Sequence, residues 1–241
     1  MSARIKTAII LAGGFGTRLQ TVVSEVPKPM APVAGRPFLE YLLDYLIHFG
    51  FEEVVLSTGH LSEVVSDHFG EAYKSLAVKY AVEIDPLGTG GAILSSFQFT
   101  DATQALVLNG DSFLNAPLDE VLNHAQLMDC DGLMVLRKMP TPDRFGTVEL
   151  GNGGLVEQFE EKKAGLDSGL INAGIYILDR DTIIKFGLKG RFSIEDEFFK
   201  PYIDQVKIAG FVADGYFIDI GIPEEYDRAQ SDFKTFQYSE A

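Results

Sequence analysis

The chain has 241 residues, 46% hydrophobic and 23% charged, enough to bury one sizeable core or a main core with a small annex. Its 35 acidic against 20 basic residues give a formal net charge of −15. This argues against wrapping nucleic acid or lying on an anionic membrane, but not against a small phosphorylated ligand held by a few inward cations. The single cysteine, Cys130, excludes an internal disulfide and points to a reducing, cytosolic setting in which it serves as a small buried or semi-buried hydrophobe.

In chain order, Thr7–Leu11 reads as a buried strand. Arg4 and Lys6 ahead of it resemble a signal peptide, but the apolar run is too short and breaks at Gly13-Gly14, and no run approaches membrane-spanning length. Phe38–Phe49 carries Phe38, Leu42, Leu43, Leu46 and Phe49 at helical spacing and is closed by Gly50. Then come a strand at Glu53–Ser57, a helix at Leu61–Phe69, a strand at Val78–Val82, a helix at Gly90–Phe97, a strand at Ala105–Asn109 and a helix at Leu118–Met128. This alternation predicts an α/β fold with a mostly parallel, doubly wound sheet, Rossmann-like, whose ligands bind beyond the carboxyl ends of the strands. From Gly132 the pattern changes to strands at Leu133–Leu136, Thr147–Leu150, Val156–Glu160 and Ile171–Leu178, without long helices between them. They predict a smaller mixed β extension carrying the second half of a site. Ser193 offers an N-cap and Pro223-Glu224-Glu225 the first turn of a last helix. The expected organisation is one domain over 1–241 with two lobes, over about 1–131 and about 132–241.

Leu11-Ala12-Gly13-Gly14-Phe15-Gly16-Thr17-Arg18-Leu19 follows the first strand directly, and Lys28 stands beyond it between Pro27 and Pro29. Glycines at a strand end let successive backbone N–H groups point into one concavity and wrap a polyphosphate, to which Arg18 and Lys28 add charge. An ordinary tight turn accounts for the glycines but for neither cation. The segment is not a Walker loop, and Leu19 stands where a dinucleotide fingerprint needs its third glycine, which disfavours a dehydrogenase. Asp111 follows the strand Ala105–Asn109, and Asp219 ends Tyr216-Phe217-Ile218. Two carboxylates in such places can share one Mg²⁺ completed by phosphates and water, although Asp111 alone reads equally well as a turn or cap residue. Glu160-Glu161-Lys162-Lys163 is a charge run of the kind usually found on a solvated face, and Asn172-Ala173-Gly174 suggests close approach of a hydroxylated ligand. His48, His60, His68 and His124 have no neighbouring carboxylate or cysteine at ligand spacing in the sequence and read as structural or surface residues. With no evident general base, the reaction needs a nucleophile already ionised at pH 7, such as a phosphate monoester, whose second pKa is about 6.

Together these elements resemble the sugar-1-phosphate nucleotidyltransferases from Thr7 to about Phe236. Further anchors are Pro86-Leu87-Gly88-Thr89-Gly90-Gly91, Leu108-Asn109-Gly110-Asp111, Arg144-Phe145-Gly146-Thr147-Val148 and Phe217-Ile218-Asp219-Ile220-Gly221. The resemblance implies that Leu11, Ala12, Gly13, Gly14, Gly16 and Thr17 approach the nucleotide, with Arg18 on its β- and γ-phosphates and Lys28 on the phosphates. It implies that Pro86, Gly88, Thr89 and Asn109 complete the nucleotide side. Asp111 and Asp219 would hold Mg²⁺, and Lys162 would grip the sugar phosphate. Asn109, Gly110, Gly146, Glu161, Asn172 and Gly174 would line the sugar pocket, with Arg18, Lys28, Asp111 and Lys162 as the catalytic set. Glu83, where thymine- and uracil-specific relatives often place glutamine, is a candidate acceptor for the two adjacent donors of guanine; the alternative is that it faces solvent and backbone near Gly88 reads the base.

Within the family the pattern is most similar to the branch joining GTP to a manno-heptose 1-phosphate, with pyrophosphate released and a GDP-sugar made for a surface glycan. Hexose 1-phosphate enzymes and a non-catalytic nucleotide-sugar sensor are the alternatives, and a homodimer is left open. The family often has Trp at the position of Phe217 and Thr at that of Ile222. No left-handed β-helix follows, so acyltransferase activity is not expected.

Overall fold

The computed structural model describes residues 4–14, 26–160, 165–236 and 238. Gly16, Thr17, Arg18, Glu161 and Lys162, five of the expected site residues, lie outside them.

The first half follows the expected alternation: β1 (Thr7–Leu11), a short ribbon of β2 (Pro32–Val33) and β3 (Arg36–Pro37), α1 (Phe38–His48), β4 (Glu53–Thr58), α2 (Ser62–Phe69), β5 (Ala72–Tyr73), β6 (Leu76–Val82), α3 (Gly88–Ser96), β7 (Gln104–Asn109), β8 (Ser112–Leu114) and α4 (Leu118–Leu127). α3 begins two residues earlier than the sequence suggested, because Gly88 turns the chain with φ +69°. β1, β4, β6 and β7 are parallel, in the spatial order β7-β1-β4-β6. The chain thus winds outward from β1 through β4 to β6, then returns to the other side of β1 with β7. The direction of winding reverses between β1 and β7, and loops leaving those two strands part to form a crevice.

Both sheet faces are covered, which is why these strands read as unbroken apolar runs. Ala8, Ile10, Val54, Leu56, Leu106 and Leu108 pack with Leu39, Leu42 and Leu46 of α1 on one face. Ile9, Val55 and Val107 pack with Ile93 of α3, Phe97 and Phe198 on the other.

The later strands are β9 (Gly132–Pro140), β10 (Thr147–Leu150), β11 (Val156–Glu160), β12 (Ser168–Asp179), β13 (Ile208–Val212) and β14 (Phe217–Asp219). The extension is continuous with the main sheet rather than a sheet of its own. Twelve-residue β12 runs antiparallel to β7 through Ile175–Asp179 and also pairs β9 and β10, giving a sheet of ten strands among the described residues. β13, parallel to β9, was not evident in the sequence: Gly210 interrupts its apolar run, and a β-carbon there would lie 2.3 Å from Leu150, which fills the space. The remaining helices are α5 (Arg180–Ile184), a π-helical turn at Ile194–Phe199 capped by the Ser193 hydroxyl, α6 (Lys200–Tyr202) and α7 (Pro223–Asp232). Among the described residues no helix is long and apolar enough to cross a membrane.

Candidate active site

Two cavities open at the crevice. The first, about 410 Å³, lies beyond β1 and is lined by Gly13, Gly14, Lys28, Glu83, Pro86, Gly88 and Thr89 among others. The second, about 440 Å³, lies over the later strands and includes Arg144, Gly146, Asn172, Gly174, Lys200 and Asp219. Asn109, Asp111 and Glu195 belong to both walls.

The first wall is built by close backbone contacts. Leu11 is in register with Asn109, and the Gly110 N–H donates to the Leu11 carbonyl at 2.9 Å, which brings the turn after β7 onto the end of β1. Beyond β6, the Glu83 carboxylate takes one hydrogen bond on each oxygen, from the Ser57 hydroxyl at 2.9 Å and from the Leu87 N–H at 2.8 Å. It is therefore fixed in the wall beside Gly13, with a second lone pair left on each oxygen. The Gly88–Gly91 run has a structural reason that the sequence did not show. A β-carbon on Gly90 would fall 2.0 Å from the Phe192 ring and one on Gly91 2.2 Å from the Gly190 carbonyl, so the glycines admit the segment before the π-helical turn. The Gly90 N–H to Phe192 carbonyl bond of 3.0 Å and the Ile194 N–H to Thr89 hydroxyl bond of 2.9 Å lock that segment in place.

The two candidate metal carboxylates meet because β14 pairs antiparallel with β8, setting Asp219 opposite Ser112, while the Ile220 N–H donates to the Asp111 carbonyl at 2.9 Å. The Lys28 ammonium stands between them, 2.5 Å from Asp111 and 3.9 Å from Asp219. Burial pushes the Asp219 carboxyl above its ordinary range, as does the Asp111 charge; Lys28, the Gly221 N–H and Arg144 pull against the shift. Among the described residues no three His, Cys, Asp or Glu side chains are grouped to hold a metal alone. Two hard carboxylates already sharing one cation are nevertheless a donor set that suits Mg²⁺, which normally takes one or two carboxylates and fills its octahedron with phosphate oxygens and water.

Sequence reasoning missed Glu195, Arg144, Lys200 and Gly221 as lining residues. Arg144 stood in a quoted anchor, where its charge was the available signal. Glu195 carried none beyond its place after a cap. Asn172 lies in the second cavity, but its amide is largely engaged by the protein: Nδ2 donates to the Tyr176 hydroxyl at 2.6 Å and to Glu195 at 3.0 Å, and Oδ1 accepts from the Gly174 N–H at 3.0 Å. Gly174 has φ +75°, and a β-carbon there would lie 2.6 Å from the Asn109 amide nitrogen. Of the histidines, His68 pairs with Glu40 at 2.8 Å and His124 packs edge-on against Phe211, both outside the two cavities.

The family model described as nucleotidyl transferase matches residues 7–235. The chain belongs to this family. A D-glycero-alpha-D-manno-heptose 1-phosphate guanylyltransferase of Campylobacter jejuni is 41% identical over 220 residues, 91% of this chain and 96% of the relative. A protein of the same name from Aneurinibacillus thermoaerophilus is 40% identical over 230 residues, 95% of this chain and 99% of the relative. The crystal structure of HddC from Yersinia pseudotuberculosis complexed with GMP-PN superposes with a TM-score of 0.82 at 32% identity, covering 95% of this chain and all of the other. The nucleotidyltransferase family thus accounts for the doubly wound sheet.

Proposed function

We propose that this family member joins GTP to D-glycero-α-D-manno-heptose 1-phosphate, giving GDP-heptose and pyrophosphate. The observation that carries the reading is the pair of adjoining cavities with Asn109, Asp111 and Glu195 in their common wall. Such a wall lets two substrates meet at one phosphorus atom. The two relatives at 40–41% identity support the choice of base and sugar. The nucleotide lobe, about 1–131, takes the triphosphate in the first cavity and the lobe over about 132–241 takes the sugar phosphate in the second.

A sugar-phosphate oxygen, already ionised near pH 7, attacks the α-phosphorus. A new P–O bond forms, the bond to the β-phosphate oxygen breaks, and pyrophosphate leaves. Positioning and charge neutralisation do most of the work. Gly13 and Gly14 offer backbone N–H groups to the nucleotide, Lys28 contacts its phosphates, and Arg18 and Lys162 are assigned from the sequence to the leaving group and to the sugar phosphate. Asp111 and Asp219 would hold Mg²⁺, which when bound neutralises phosphate charge in the transition state. Glu83, fixed beside the first cavity, accepts from guanine.

The test is a panel of sugar 1-phosphates against the four common nucleoside triphosphates, read as pyrophosphate release. GTP with the manno-heptose phosphate should give the highest kcat/KM. Mannose or glucose 1-phosphate used as well would remove the heptose and keep the class; no turnover with any pair would leave a nucleotide-sugar sensor.

A further inference from the structure

The second cavity contains a carboxylate with one oxygen committed to the protein and one uncommitted. Glu195 Oε1 accepts from Asn172 Nδ2 at 3.0 Å and from the Tyr176 hydroxyl at 3.1 Å. Tyr176 is itself buried, 1% exposed, and accepts from the same Asn172 amide at 2.6 Å. Both Asn172 amide hydrogens, the Tyr176 hydroxyl proton and Glu195 Oε1 are thereby spent on one another. Among the described residues Glu195 Oε2 has no hydrogen-bond partner, and it is not among the buried unpartnered atoms, so it is open to the cavity.

We propose that Glu195, rather than Asn172, reads the hydroxyl groups of the sugar, with Asn172 and Tyr176 acting to aim it. This rests on the transferase reading above and identifies the group in that site which discriminates a hydroxylated sugar. A carboxylate only accepts, and a sugar hydroxyl taken out of water is a donor that needs an acceptor. A charge-assisted hydrogen bond is roughly twice as strong as a neutral one. Burial and the Asp111 charge raise the Glu195 carboxyl above its ordinary range, which agrees with a group kept for a ligand rather than for solvent. The segment that carries Glu195 is tied to the nucleotide side through the Thr89 hydroxyl and the Phe192 backbone, so the sugar reader is held against the nucleotide loop.

The experiment compares wild type, Glu195→Gln and Glu195→Asp, varying the sugar 1-phosphate at saturating GTP and the reverse, with the deoxy analogues of that sugar alongside. In Glu195→Gln the sugar KM should rise roughly ten- to hundredfold, the range of one hydrogen bond to a charged group, and selectivity for the hydroxylated sugar over one deoxy analogue should collapse. The GTP KM should stay within about twofold. Glu195→Asp, which withdraws the carboxylate by one methylene, should move the sugar KM in the same direction and decides the matter if the glutamine variant does not fold. An unchanged sugar KM in both variants, equal rises in both KM values, or retained deoxy discrimination would overturn the assignment while leaving the transferase reading intact. Wild type without turnover on any pair would overturn both.

Discussion

The Lys28 ammonium lies 2.5 Å from the Asp111 carboxylate in a side chain only 10% exposed, and its second acidic neighbour, Asp219, is 3.9 Å away. One cation thus holds together two carboxylates, one from the turn after β7 and one from the end of β14, far apart in the sequence. Removing it in Lys28→Met leaves two like charges facing each other. The metal-free variant should lose stability on the order of 1–3 kcal/mol, and Mg²⁺ should restore more of its melting temperature than it adds to wild type. Thermal melts with and without Mg²⁺ check this, and equal Mg²⁺ responses in the two proteins would contradict it.

Arg18→Ala and Asp111→Asn should each lower kcat by roughly a hundredfold or more, the usual cost of one preorganised charge contact. Pyrophosphate release at saturating Mg²⁺ is the measurement, and near-full turnover in either variant would remove that residue from the mechanism.

Glu83→Gln should weaken GTP selectivity over UTP by about 1–3 kcal/mol, because an amide cannot accept with both of its terminal atoms. The variant is a clean one. A glutamine oxygen can still take the Leu87 N–H, and its amide can donate to the Ser57 hydroxyl, the two groups that fix Glu83 now. Equal GTP-to-UTP ratios of kcat/KM in both proteins would assign base reading to the backbone around Gly88.

Glu195 should also leave its mark on stability against pH. Its folded-state pKa is raised above the ordinary 4.5 by burial, with the Asp196 and Asp111 charges acting in the same direction. Between 4.5 and that raised value the folded protein binds more protons than the unfolded chain, so wild type loses stability as pH rises through this window. Glu195→Gln should show a shallower loss there and melt higher than wild type at neutral pH, while weakening the sugar contact. Parallel melting curves from acid to neutral pH would contradict the shift.

Gly174→Ala should lower stability by about 1–3 kcal/mol through its positive φ and the clash with Asn109. Because Asn109 stands in the wall common to both cavities, kcat/KM should fall for both substrates. Calorimetry and steady-state rates test the two halves separately.

The doubly wound sheet was legible because each of its strands is buried on both faces and each helix on one, and those patterns are local: Ile9 and Ile10 point to opposite cores and both must be apolar. The glycine turn after β1 and Asp111 after β7 were legible because a strand end fixes which way its next residues face. Lys28, Asp111 and Asp219 could be named but not placed, since what joins them is the β8–β14 pairing, a contact between segments about a hundred residues apart. Glu195 was invisible as a site residue for the same reason. Its surroundings are Tyr176 and Asn172 of β12 and, through its own segment, Thr89 in the first turn of α3, none of which is near it in sequence. Periodicity and turn chemistry act over a few residues, so the sequence by itself determined the family and the doubly wound sheet. Which carboxylate shares a cation and which faces an open cavity depends on long-range packing, and only the tertiary structure decided it.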